Sequence, residues 1–131
     1  MDRKKLIKRL IYLIFLILIA NFLGNTFYWH VSIWYYDMIM HFLGGFWVGL
    51  VSFYFFTFQG ISSKLILRIL SLVLIIGIGW ELFEILVNDA FARNSFNSLD
   101  TLSDIFFDLA GGSLSILYFL KRIMFSGENK V

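Results

Sequence analysis

The length of its apolar runs constrains this chain most. A run of about 18 or more apolar residues can cross the hydrocarbon core of a bilayer as a helix, and the 131-residue chain holds about four such runs. They lie at roughly 5–24, 37–58, 65–88 and 101–120. Hydrophobic residues make up 60% of the chain, which is too much apolar surface for a soluble domain of this length to bury. The chain therefore reads as all-α: one integral membrane domain, residues 1–131, built as a polytopic bundle of four transmembrane helices. The absence of cysteine excludes disulfides and thiolate metal sites.

The start, Met1–Arg9 followed by Leu10–Ala20, has the charge and apolarity of a signal peptide. The apolar run continues through Asn21, Phe22 and Leu23 without an A-x-A-like cleavage site, so an uncleaved anchor is expected. Charge sets the orientation. Arg3, Lys4, Lys5, Lys8 and Arg9 precede the first run, Lys64 and Arg68 lie between the second and third, and Lys121, Arg122 and Lys130 follow the fourth. Arg93 stands alone on the other side. The positive-inside rule then puts both termini in the cytoplasm of an inner-membrane protein. The segments 25–36 and 89–100 face outward, and the aromatic residues of 25–36 suit the headgroup level.

Against this background the carboxylates stand out. Residues three or four apart share a helix face. Asp37, His41 and Gly44 or Gly45 line up on the second helix, and Gly77, Glu81, Glu84 and Asn88 on the third. Thr101, Asp104, Asp108 and Gly111 or Gly112 do so on the fourth. Each stripe is charged toward the outer end and small below. At a rise of ~1.5 Å per residue, Glu84 and Glu81 lie ~6–12 Å below the outer end of their helix, a depth that Asp104 and Asp108 share. Small residues let membrane helices approach closely, so Gly44, Gly45, Gly49, Gly77, Gly111 and Gly112 are expected to pack helix on helix.

Five ionised, unpaired acids at this depth cost ~10 kcal/mol or more on insertion scales, comparable to the stability of a whole domain. One Arg93 cannot neutralise them; a cation, protons, water or a basic partner must offset the cost. Some of these acids have a plainer reading: Asp37 can cap the second helix, and Asp100 or Thr101 the fourth, with Asp104 completing a capping box. That reading fails for Glu81 and Glu84, which sit where the helix dipole disfavours them, and is weak for Asp108. His30 reads as an interfacial loop residue.

The motifs Tyr36-Asp37-x-x-x-His41-Phe42-x-x-Gly45, Trp80-Glu81-x-x-Glu84 and Asp100-x-x-x-Asp104-x-x-x-Asp108-x-x-Gly111-Gly112 resemble those of the VanZ-like and YjdF-like small bacterial membrane proteins. Arg93 is similar to the basic residue that VanZ-like proteins place before the last helix. Glu84 and Asp108 stand where VanZ-like proteins often carry Gln and Asn, so the YjdF-like pattern is nearer. The resemblance implies a polytopic inner-membrane protein of the cell envelope, in some members linked to glycopeptide resistance. It implies no reaction.

Carboxylates plus one imidazole suit a divalent cation such as Mg, Mn or Zn, and paired ligands from several helices are how bundles build metal sites. The expected metal set is Asp37, His41, Glu81, Glu84, Asp104 and Asp108, with Asp100, Arg93 and Asn88 as further polar site residues. An envelope lipid or its headgroup is the expected ligand. No organic cofactor or nucleic acid is indicated, and four helices leave room for a homo-oligomer. The alternatives are a proton- or cation-coupled transporter or channel subunit and a non-enzymatic protein that docks a basic partner. No acid continues down the helices below the cluster, which disfavours transport. No nucleophile motif or phosphate-binding loop is visible, so no enzyme activity is assigned. Reporter fusions after Asn25 and after Asn94 are expected to signal from outside the cytoplasm; a cytoplasmic signal from either overturns the orientation.

Overall fold

A computed structural model describes residues 2–56, 61–88 and 96–128, with side chains as far as 122. It contains α1 (Arg3–Thr26), α2 (Trp29–Ser32), α3 (Tyr36–Phe56), α4 (Ser63–Val87) and α5 (Ser98–Glu128). α1, α3, α4 and α5 are each long and apolar enough to cross a membrane, which makes this an all-helical, multi-pass membrane protein. Helices are forced on such a chain because lipid offers no partner for backbone N–H and C=O groups.

Polar side chains fix the helix starts. Asp2 accepts from Lys4 N at 3.1 Å and Ser62 from Leu65 N at 3.3 Å. α5 starts at Ser98, earlier than the expected 101, because Asn97 Oδ1 accepts from Leu99 N at 3.2 Å. Neither Asp100 nor Thr101 is the cap, and both are free to serve elsewhere. Between α1 and α2 the chain turns at Tyr28, which holds a left-handed φ of 56°. For a side-chain-bearing residue this costs about 1–2 kcal/mol.

The closest helix pair is α3 with α5, which are not consecutive in the chain. A Cβ on Gly45 would run into the backbone carbonyl of Asp108, and one on Gly111 into the backbone of Phe42 and Phe46. A Cβ on Gly49 would strike the Ser115 side chain. Beyond this seam Phe53 and Phe119 stack with centroids 4.0 Å apart. They form a buried cluster with Leu65, Ile69 and Ile116 that ties in α4. Gly112 makes room for Val73 of α4, at 2.9 Å from its would-be Cβ.

α1 is peripheral and leans on α3. Two side-chain hydrogen bonds to its carbonyls pin it, from Trp47 Nε1 to Leu10 at 3.0 Å and from the Tyr36 hydroxyl to Ala20, and Arg3 and Arg9 of α1 donate in turn to the Tyr54 carbonyl and the Tyr118 hydroxyl. Gly24 leaves space for the Tyr36 ring, which a Cβ would meet at 2.6 Å. Opposite the α2 end, Arg3, Arg68 and Arg122 lie over the rings of Tyr54, Phe56 and Tyr118. Positive charge thus collects at one end of the bundle and the carboxylates at the other.

Gly44 differs from its neighbours. Nothing lies within 4 Å of where its Cβ would sit, so it is not a packing glycine as expected. Gly111→Ala is expected to destabilise the protein by about 1–3 kcal/mol, because backbone cannot move aside. Gly112→Ala should cost less, since the Val73 side chain can rotate, and Gly44→Ala should gain up to about 1 kcal/mol of helix propensity. Thermal unfolding in detergent gives the order; equal melting temperatures for Gly111→Ala and Gly44→Ala would refute this seam.

Candidate functional site: a buried carboxylate–histidine cluster

His41 is the centre of the site. It stands one turn after Asp37 on α3, in the layer just above the glycine seam, and is 6% exposed. Its Nδ1 lies 3.3 Å from both oxygens of Asp108 on α5. Its Nε2 faces three other carboxylates: Glu81 Oε1 of α4 at 3.6 Å, Asp104 Oδ2 of α5 at 3.8 Å and Asp37 Oδ1 of α3 at 3.9 Å. Glu81 and Asp104 are 5% and 2% exposed, and Glu81 Oε1 and Asp104 Oδ1 have no hydrogen-bond partner.

These distances sort the contacts. An N···O separation of 3.6 Å or more is not a hydrogen bond. The Asp108 contact, at the long edge of hydrogen-bonding distance, suits a proton on Nδ1; in the neutral ring that tautomer aims the Nε2 lone pair at the other acids. Ligand atoms around a divalent ion with bonds of about 2.0–2.2 Å sit ~3–3.6 Å apart. The distances from Nε2 to Glu81, Asp104 and Asp37 are therefore a few tenths of an ångström wider than those in a filled coordination sphere. Asp37, His41 and Asp104 offer ligand atoms within 4.8 Å of one another, as do His41, Glu81 and Glu84.

Gly77 gives Asp108 its position. A Cβ there would sit 2.5 Å from Asp108 Oδ2. Glu84 is half-buried, and its Oε1 accepts from Trp80 Nε1 at 2.8 Å. It lines an open chamber of about 720 Å³ at the α2 end, together with Asp37, Asn88 and Asp100. Of the expected site residues, the structure brings Asp37, His41, Glu81, Asp104 and Asp108 around one imidazole and sets Glu84 beside them. Asn88 and Asp100 stand apart on the chamber wall. Arg93 lies outside the described residues.

Two contributors went unassigned in the sequence. His30, on α2, places Nδ1 3.9 Å from Asp37 Oδ1 and its ring edge-on to Tyr36. Asn21 of α1 reaches the chamber wall. Asn21 carried a signal, as a lone polar residue late in an apolar helix. His30 carried none, because its approach to Asp37 depends on the turn at Tyr28 and not on helical spacing.

A model of a family described as a predicted membrane protein, DUF2238, matches residues 2–124 of the chain. The chain belongs to the DUF2238 family. No curated protein and no solved structure matches it. The match takes in the whole cluster, so the His41 site lies inside the part that defines this DUF2238 protein.

The Gly77–Asp108 contact has a direct test. Gly77→Ala is expected to cost about 1–3 kcal/mol by displacing the carboxylate, whereas Gly79→Ala, whose Cβ meets nothing within 4 Å, should cost nothing. In an Asp108→Ala background the cost of Gly77→Ala should vanish, a coupling of about 1 kcal/mol or more in a double-mutant cycle. Additive losses would show that Gly77 acts elsewhere.

Proposed function

We propose that the cluster is a divalent-cation site that presents open coordination positions to an envelope lipid or its headgroup in the adjoining chamber. The observation that carries this is the Nε2 face of His41. The ring nitrogen lies 3.6–3.9 Å from three carboxylates, Asp37 and Asp104 offer ligand atoms within 4.8 Å of it and of one another, and Glu81 Oε1 and Asp104 Oδ1 lack a hydrogen-bond partner. Like charges ~4 Å apart at an effective dielectric of about 20 repel by ~4 kcal/mol per pair, so this arrangement needs positive charge at its centre. His41, Asp37 and Asp104 form one set of ligands and His41, Glu81 and Glu84 another, with Glu84 on the chamber side. Asp108 is better placed as the carboxylate that orients His41, an outer-shell role common in metal sites, than as a ligand itself. One nitrogen among oxygens suits Zn²⁺ or Mn²⁺ ahead of Mg²⁺.

The relay alternative has less support. Below His41 the α3–α5 seam closes backbone on backbone. The buried polar residues further down, Ser52 and Ser115, are engaged with carbonyls of their own helices. The collection of Arg residues at the opposite end supports a cytoplasmic placement of both termini in an inner membrane, with the site facing outward. The YjdF-like resemblance points the same way, since YjdF-like proteins are related to DUF2238.

Ligand binding to the folded state raises stability by about 2.7 kcal/mol at 100 times the dissociation constant. Purified protein is therefore expected to melt at higher temperature as Zn²⁺ or Mn²⁺ is added. The rise should shrink as pH falls, because protons compete for the ligands. Glu81→Gln and Asp104→Asn should abolish it, whereas Asp2→Asn should leave it intact. No metal-dependent rise in the parent at neutral pH would refute the site.

A further inference from the structure

A groove runs away from the site along the membrane-facing side of α1, α3 and α4. Its walls are apolar: Ile14, Ile17 and Leu18 of α1, Trp47 and Val48 of α3, and Ile76 of α4. Its upper end opens into the acidic chamber, and the two cavities share Asn21, His30, Asp37, Trp80 and Glu84. The two bonds that pin α1 flank it. Leu10 is held below by Trp47 and Ala20 above by Tyr36, so residues 14–18 stand between two fixed points. Gly44 lies on this wall, which accounts for a glycine whose Cβ meets nothing. The groove holds about 360 Å³. At a water-sized ~30 Å³ per group, that is room for roughly a dozen chain carbons.

We propose that the groove and chamber together bind one phospholipid whose headgroup carries an ammonium, with an acyl chain between α1 and α4. The order of parts decides the class. Along the cavity come apolar walls, then the His41 site, then the carboxylates of Asp37, Glu84 and Asp100. Along such a lipid come chain, phosphate and ammonium. A phosphate at the His41 site rests on the cation reading above. The ammonium does not, because His30 is the one described chamber side chain able to carry positive charge, against three acids. A lipid with an uncharged or anionic head leaves Asp100, which is outside the cation ligands, without a counter-charge.

The test is native mass spectrometry of the full chain in detergent with phosphatidylethanolamine or phosphatidylglycerol of equal chain length, with and without Mn²⁺. One phosphatidylethanolamine per chain is expected, preferred by about tenfold, a 1.4 kcal/mol difference. Gly44→Leu, whose side chain enters the groove, should lose the adduct yet keep the metal-dependent melting rise. Ile76→Phe on the opposite wall should do the same if Gly44→Leu fails to fold. Asp100→Asn, outside the cation ligands, should lower the preference for the ammonium lipid. Equal binding of both lipids, or adducts untouched by both groove variants, overturns the proposal even where the melting rise is present. A phosphatidylethanolamine adduct that survives chelator and is lost in the groove variants upholds it, even where no metal-dependent rise is seen.

Discussion

Gly45 on α3 and Gly111 on α5 let two helix backbones touch, and that contact sets where His41 stands. One turn above it, the imidazole has Asp108 against one nitrogen and Glu81, Asp104 and Asp37 around the other. A methyl group at either glycine meets backbone and pushes the helices apart, which moves the acids of α5 away from His41. Packing and chemistry are therefore not separable here. The same residues that close the seam against water and lipid hold the cluster at its spacing.

The acids also define what the rest of the bundle must be. Burying Glu81 and Asp104 with an oxygen of each lacking a hydrogen-bond partner is costly in a soluble protein and more so in lipid. The structure confines that cost to one layer. Toward the opposite end the seam passes to Ser115, then to stacked Phe53 and Phe119, and then to arginines lying over aromatic rings. α1, which contributes no ligand, packs Leu6 and Leu10 against Leu50 of α3 and is held by hydrogen bonds to its backbone carbonyls.

The four membrane spans and the faces that carry the acids were legible in the sequence, because apolar length and i, i+4 spacing are properties of a single helix, whereas the short α2 within the expected loop 25–36 was not. Roles that depend on two helices were not. Asp104 and Asp108 share a face of α5, yet they approach different ring nitrogens of His41, and only the relative rotation of α3 and α5 decides which. Gly44 and Gly45 are adjacent in sequence and opposite in function: one faces a groove and the other a backbone. His30 reaches Asp37 through a strained turn at Tyr28 that no spacing rule anticipates. The start of α5 at Ser98 turned on whether Asn97 or Asp100 took the cap, and the amide left the acid free for the chamber.

The pairing of α3 with α5 also bears on how the protein is made. α5 carries Asp100, Asp104 and Asp108, and its mean hydropathy of 1.3 is the lowest of the four spans, against 2.2 for α1 and α4. It is also the last of the four to leave the ribosome. Its partner α3 emerges two segments earlier, with His41 already in place, and must wait in the membrane through the insertion of α4. The glycine face of α3 and its imidazole are thus a prepared berth for a helix that lipid alone receives poorly, and the chain's order of synthesis matches its order of need.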